Sequence, residues 1–202
     1  KKGDSKIFEK YIKVLLNLST IKQKKTDSQI AVDLTLGIGG DSIILSKYFK
    51  QVYSFEINPI RCQMGKENIK RVLDIQNVNI RCTDSIEIIK NFKNWLKYIG
   101  IDKVRLIHSD FPWGGIKYNE KEKIDDLYLE SINWDYKTND LKEEKGKKIG
   151  IYDMIKKMYP YADFISLKLP YNFNIKVLKK KIKGKVHVYK ISKKITMVVI
   201  ET

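Results

Sequence analysis

Four carboxylates in this chain each close a short apolar run. Asp33 follows Ile30, Ala31 and Val32; Glu56 follows Val52, Tyr53 and Phe55; Asp84 follows Val78, Ile80 and Cys82; and Asp110 follows Val104, Leu106 and Ile107. Runs of this length and composition are suited to buried parallel strands. In an open α/β sheet, ligands bind beyond the carboxyl ends of the strands, so the four acids are expected along one edge. Between the first two lies a glycine-rich turn, Gly37, Ile38, Gly39, Gly40, followed by the helix starters Asp41 and Ser42. Such a loop lets backbone approach a ligand closely. An acid ending the second strand can accept both hydroxyls of a ribose, which gives Glu56 a role and makes the expected ligand a nucleoside.

The dinucleotide fingerprint requires a third glycine two residues further on, and here that place is taken by Ser42. Asp33, four positions ahead of Gly37, suits a cationic ligand better than a pyrophosphate. S-adenosylmethionine, with an ammonium and a sulfonium, meets both requirements. The bland alternative is a tight turn in an ordinary α/β protein.

The fourth run delivers His108, Ser109, Asp110, Phe111, Pro112, Trp113, Gly114 and Gly115 to the same edge. A polar residue, an apolar one, proline and an aromatic resemble the turn by which amino methyltransferases hold a planar base. Asp110 can accept a hydrogen bond from an exocyclic amine and Trp113 offers a stacking face. Pro112 fixes φ, and the two glycines let the chain leave sharply.

The elements that must position these groups are written in periodicity and capping. Residues 6–18 carry Ile7, Phe8, Tyr11, Ile12, Leu15 and Leu16 at helical spacing, an amphipathic helix beside the sheet. Residues 1–29 are thus a helical extension and 30–202 the main domain; the first residue, Lys1 rather than Met, leaves room for sequence upstream. Asn58 and Pro59 predict the N-cap and first position of a helix to about residue 73. Asp84 or Ser85 could equally cap the helix that runs through Trp95. Residues 119–150 are polar without clear periodicity and read as a substrate loop or lid. A helix over 149–158, a strand over 162–169, a short lysine-rich helix and an antiparallel pair at 185–191 and 195–201 complete the chain.

Composition sets the remaining bounds. The 202 residues, 43% of them hydrophobic, suffice for a sizeable core. No stretch approaches the roughly 20 apolar residues of a membrane span. Forty Lys and Arg against 24 Asp and Glu give a formal net charge of +16, a field that attracts polyanions, nucleic acid first among them. Only four of the forty are Arg, the better phosphate fork, so an AT-rich genome is a competing explanation of the lysines. Cys62 and Cys82 have no metal-ligand spacing and read as two buried thiols in a reducing intracellular setting. His108 and His187 have no sequence partner for a metal or a nucleophile and read as structural. No nucleophile elbow or phosphate-binding GxxxxGK[ST] loop occurs, which removes hydrolase and kinase readings.

These motifs together resemble the class I S-adenosylmethionine-dependent methyltransferases, and within them the trimethylguanosine synthase family, which methylates the exocyclic N2 of the 7-methylguanosine RNA cap. VDLTLGIGGDS is similar to the family's glycine motif, EINP to its ribose motif, CTDS to its adenine-side motif, DFPWGGIKY to its SPPWGGxxY turn and LPYNFN to its LPRN stretch. The resemblance implies a Rossmann-like seven-stranded, mostly parallel sheet with an antiparallel C-terminal pair. It assigns Asp33, Thr35, Gly37, Gly39, Glu56, Ile57, Asp84, Ser85, Asp110 and Phe111 to S-adenosylmethionine and Asp110, Pro112 and Trp113 to catalysis. Trp113, Lys117, Tyr118 and Asn172 would meet the substrate. It further implies capped RNA as partner, no metal, no membrane, a monomer, and a place in the nucleus or cytoplasm. Two departures stand out: Asp110 replaces the family's Ser, and Phe111 its first Pro. Rival readings are a methyltransferase on an internal base of rRNA or tRNA, at guanine N2 or adenine N6, and a non-catalytic RNA-binding subunit of the same fold.

Overall fold

A seven-stranded sheet with cores on both faces organises the protein. The computed structural model describes residues 6, 8–10, 12–13, 29–110, 118, 120–130, 133–135, 140–142 and 148–202. The strands are β1 (Ile30–Asp33), β2 (Gln51–Glu56), β3 (Val78–Cys82), β4 (Val104–Asp110), β9 (Ala162–Pro170), β10 (Lys185–Lys190) and β11 (Ile195–Glu201), in the order β10-β11-β9-β4-β1-β2-β3. The links β2–β1, β1–β4, β4–β9 and β2–β3 are all parallel. β11 is antiparallel to both β9 and β10, so it alone runs against the rest. The expected antiparallel closing pair is therefore present, with β11 slotted between β9 and the edge strand β10.

Parallel strands need covered faces, and their side chains alternate between two cores. Val32, Ile165, Leu167, Val198 and Ile200 point into one, Ala31, Phe164, Met197 and Val199 into the other. The first core is closed by α3 (Ser85–Lys90), α4 (Phe92–Tyr98), α5 (Ile151–Met158) and α6 (Ile175–Lys181). The second is closed by α1 (Gly40–Ser46), by Ile69 and by Phe8 and Ile12 of the N-terminal segment, whose described residues are helical. The single helix expected through Trp95 is two, broken at Asn91.

The helix expected over 58–73 begins as the sequence indicates, with Asn58 Oδ1 accepting from the Arg61 amide and Pro59 in the first turn. It runs as α2 (Pro59–Lys66) and continues as a π-helical turn, Glu67–Val72. The segment at 119–150 also departs from expectation. β5 (Tyr128–Glu130) pairs with β8 (Lys148–Gly150) and β6 (Asn133–Asp135) with β7 (Asp140–Lys142), antiparallel in both cases. Leu127, Leu129 and Ile149 are buried in the first core, so the base of this excursion is packed structure rather than a free loop. Strands of three residues are too short to show alternation.

The reading of two separate thiols is corrected. Cys62 of α2 and Cys82 at the end of β3 form a disulfide, their Cα atoms 5.6 Å apart. Topology brings them together: the β2–β3 register sets Cys82 opposite Glu56, and α2 starts only three residues after Glu56. A sequence separation of 20 carries no hint of that. Closing a loop of this length contributes about 3 kcal/mol by restricting the unfolded chain. Cys82→Ser should lose about that much in urea unfolding, and reductant should impose the same loss on the wild type while leaving the variant unchanged.

Candidate functional site

The glycine loop is seated by α2 and the π-helical turn. Gly37 and Gly39 have φ of 55° and 99°, the left-handed region that favours glycine. A Cβ on Gly39 would lie 2.8 Å from Ile69 Cδ1, and one on Gly65 would lie 2.9 Å from Leu36 Cδ2, so the loop packs directly on the helix at both points. Asn68 Nδ2 donates to the Ile38 carbonyl at 2.9 Å. Sequence reasoning missed Gly65, Asn68 and Ile69, because a glycine and an asparagine inside a helical pattern carry no signal of a loop packed above them.

Between Leu34 and Gly37 every amide has a partner. Leu34 N donates to the His108 carbonyl and Leu36 N to the Phe55 carbonyl, both at 2.9 Å. Thr35 N donates to Asp33 Oδ1 at 3.0 Å and Gly37 N to Glu56 Oε2 at 2.9 Å. Thr35 Oγ1 accepts from the Asp110 amide at 2.7 Å, and Ser85 Oγ donates to the Leu34 carbonyl. The ends of β1, β2 and β4 and the turn after β3 are thereby tied to one short loop, which brings Asp33, Thr35, Gly37, Gly39, Glu56, Ser85 and Asp110 together.

Each acid sits differently. Asp33 is fully buried, with Oδ2 accepting from Ser42 Oγ at 2.6 Å, and Ser54 Oγ lies 2.8 Å from the same hydroxyl. Burial pushes its carboxyl above the usual range, and the Asp41 charge adds to this against the opposing His108 and Ser42. Both its oxygens are occupied inside the protein, so Asp33 shapes the loop. Glu56 Oε1 accepts from Asn58 N at 2.8 Å and from Arg61 at 3.0 Å. Ile57, between them, is half-buried. Asp84 caps α3 through Ile86 N at 2.8 Å, as one of its two expected roles required. Asp110 keeps 42% of its side chain open.

Beneath Asp110 lies a charged cluster that the sequence did not announce. Lys168 Nζ is 2.5 Å from each carboxylate oxygen of Asp41. His108 Nε2 donates to Asp41 Oδ2 at 3.1 Å while Nδ1 lies 2.6 Å from Ser166 Oγ. His108 is fully buried, its ring 4.9 Å from that of Phe8. It is structural, as expected, yet it also anchors the head of α1. Desolvation pushes the Asp41 carboxyl up, and the contacts to His108 and Lys168 outweigh this and hold it well below the usual carboxylate range.

Of the expected substrate-side residues, Asn172 is buried and its Nδ2 donates to the carbonyls of Tyr118 and Lys121 at 2.8 and 2.7 Å. It clasps the chain just beyond the tryptophan turn. Tyr118 is half-buried. Phe111, Pro112, Trp113 and Lys117 lie outside the described residues.

Residues 28–202 match the model of a family described as RNA cap guanine-N2 methyltransferase. The chain belongs to that family. An uncharacterized protein of Acanthamoeba polyphaga mimivirus is 30% identical over 95 residues, 47% of this chain and 34% of its own, so the match spans about a third of that relative. Among solved structures, the N-terminal domain of human METTL16 in complex with SAH aligns with a TM-score of 0.57 at 10% identity, over 95% of this chain and 68% of that one. An rRNA methylase from Streptococcus thermophilus aligns with a TM-score of 0.52 at 14% identity, over 87% of both chains. Magnesium protoporphyrin IX methyltransferase from Synechocystis, with bound SAM, gives 0.54 at 12% identity, over 100% of this chain and 81% of that one. At these identities the likeness establishes the fold, the Rossmann-like class I methyltransferase architecture.

Removing one partner from a buried charged pair leaves the other uncompensated, at a cost of about 3–5 kcal/mol. Asp41→Ala should lose roughly that much in urea unfolding at pH 7. Because the folded carboxyl titrates below the unfolded value of about 3.9, its contribution is complete above about pH 4 and lost as pH falls further. The variant's stability should accordingly vary less with pH below that point.

Proposed function

We propose that the protein transfers a methyl group from S-adenosylmethionine to the exocyclic N2 of a 7-methylguanosine RNA cap. The observation that carries this reading is the tie from Thr35 to the Asp110 amide, which fixes the head of the base-holding turn against the glycine loop. Family membership supplies the cap and the guanine N2.

The residues present fit the cofactor. Glu56 is buried at the end of β2, with Oε2 accepting from Gly37 N and Oε1 from Asn58 N and Arg61; each carboxylate oxygen keeps a further lone pair for a ribose hydroxyl, and a ribose placed there also lies over the loop. Gly37, Gly39 and the exposed Gly40 offer backbone without side chains to the methionine end. Asp33 and Thr35 hold that backbone in shape, and Ile57, Asp84 and Ser85 line the adenine side. S-adenosylmethionine, when bound, supplies an electrophilic methyl carbon on a sulfonium.

The protein's share of the chemistry is positional. An exocyclic amine is a weak nucleophile, since its lone pair is delocalised into the ring, so holding it in line with the methyl carbon supplies much of the rate. Trp113 stacks on the methylated guanine, whose positive charge adds about 0.5–2 kcal/mol of cation–π attraction. Asp110 accepts a hydrogen bond from the amine and offsets the charge growing on nitrogen. With Glu56 and the glycine loop holding the cofactor, methyl transfer would form the N–C bond as the C–S bond broke with its electron pair going to sulfur, and the surplus proton on nitrogen would leave to solvent. By the resemblance, Phe111 and Pro112, which stand between these two groups in the sequence, would belong to the same turn. Lys117 and Tyr118 follow in the sequence and, by the resemblance, would meet the substrate.

The RNA beyond the cap has a basic path available at the same edge. Tyr171, exposed, donates its amide to the Lys194 carbonyl at 3.0 Å, which joins the LPYNFN stretch to the β10–β11 tip. Lys190, Lys193 and Lys194 are exposed there, as are Lys121 and Lys123 beside Asn172. Phosphates attract such lysines without regard to sequence.

Labelled methyl transfer to 7-methylguanosine cap analogue, unmethylated cap and uncapped RNA tests the reading, with turnover expected only where N7 is methylated. Turnover on uncapped RNA instead would move the substrate to an internal base. Trp113→Ala should abolish turnover with cofactor affinity retained. Glu56→Ala should weaken S-adenosylmethionine binding in calorimetry by about 10- to 100-fold, the loss of charge-assisted hydrogen bonds.

A further inference from the structure

Asp110 ends β4 as a carboxylate, partly withdrawn from water, and a carboxylate at that place needs electrostatic company that a neutral hydroxyl would not. The β4–β9 register sets Asp110 opposite Lys168. Lys168 Nζ lies 3.8 Å from Asp110 Oδ2 while bound to both oxygens of Asp41. Only 12% of its side chain is open, and its ammonium sits 4.5 Å over the centre of the Phe8 ring. A lysine on a solvent face would be one among many in this chain; this one is placed under the catalytic edge and screened from water.

We infer that Lys168 is a positioning residue for methyl transfer, holding the Asp110 carboxylate ionised and turned toward the substrate amine by means of a buried cation anchored on Asp41. The inference rests on the reading that Asp110 faces that amine. Among the described residues, the charged and titratable groups facing Asp110 are Lys168 on β9, Asp41 on α1, His108 on its own strand and Asp33 on β1. Desolvation raises its carboxyl to about 6, with Lys168 pulling down, Asp41 and Asp33 pushing up and His108 pulling down. Lys168 is thus the leading influence that keeps this acid charged near neutral pH. Asp41 orients the ammonium from below, and His108, tied to Ser166 two residues before Lys168, fixes Asp41 against β9.

Two readouts test this in the full chain. The first is the carbon-13 carboxyl titration of Asp110 in the cofactor-free protein, for the wild type, Lys168→Arg and Lys168→Met. The midpoint near 6 in the wild type should rise by about one pH unit or more in Lys168→Met, as loss of a neighbouring opposite charge requires, and return in Lys168→Arg. The second is the pH profile of kcat and KM on 7-methylguanosine cap analogue. In this chain the acceptor offered to the amine is the ionised acid, so the acidic limb of kcat should move to higher pH by a similar amount in Lys168→Met, with KM little changed. In an Asp110→Ser background the same lysine change should shift no limb. Should Lys168→Met fail to fold, Asp41→Asn/Lys168→Met removes both buried charges together, and its midpoint should still rise because the lysine outweighs Asp41 at Asp110. An unmoved titration midpoint overturns the inference, as does a kcat lowered equally at every pH. Absence of wild-type turnover on any cap overturns the function proposed above, and the cofactor-free titration then still decides whether Lys168 governs Asp110.

Discussion

The site depends on a single constraint: the backbone between Leu34 and Gly37 crosses the top of the sheet without regular secondary structure, yet each of its amides must be satisfied. Two strand carbonyls and two carboxylates do this, and the carboxylates belong to the ends of β1 and β2. The acids that look from the sequence like ligand hands are also the supports of the loop. Asp33 has become wholly internal, and Glu56 keeps one foot in the loop and the other at the head of α2. Loop and acids are therefore set in advance of any ligand, which is the condition under which positioning can replace strong chemistry.

Much of this was legible because parallel strands write themselves as apolar runs and deliver their C-terminal residues to one edge. That logic located Asp33, Glu56 and Asp110 at strand ends and Asp84 in the turn after β3, and the Asn58–Pro59 pair marked the start of α2 by capping chemistry alone. Features that depend on two elements meeting in space escaped. Lys168 falls in the middle of an apolar strand and is one lysine in a lysine-rich chain; only the register with β4 and the head of α1 gives it partners. His108 was legible as structural, but not as the link from Ser166 to Asp41. The disulfide and the seating of the glycine loop on Gly65 and Ile69 have the same origin in the fold of α2 over β3 and the loop. The short ladders within 119–150 escaped for a different reason, since three residues cannot display a period.

A carboxylate at Asp110 sets the electrostatics of the whole edge. Three buried or half-buried acids, Asp33, Asp41 and Asp110, now stand within one cluster, and burial penalises their charged forms. The protein offsets this unequally. Asp41 has two basic partners and is held firmly ionised; Asp33 has hydroxyl and amide donors and is pushed toward neutrality; Asp110, with one lysine at 3.8 Å, lies between them. Like residues on one edge thus have graded acidities set by partners that come from neighbouring strands.

The two borders of the sheet share a property with a consequence for how copies of the chain behave at high concentration. Among the described residues β3 and β10 each pair on one side only, and both carry exposed cations, Arg81 on the first and Lys185 and Lys190 on the second. An unpaired strand is a template for continuing the ladder into a neighbouring molecule, and like charges along it oppose that approach. Two molecules meeting border to border would set cation against cation, so the same surplus of lysine that draws in polyanions also guards this open sheet against fibre-like stacking.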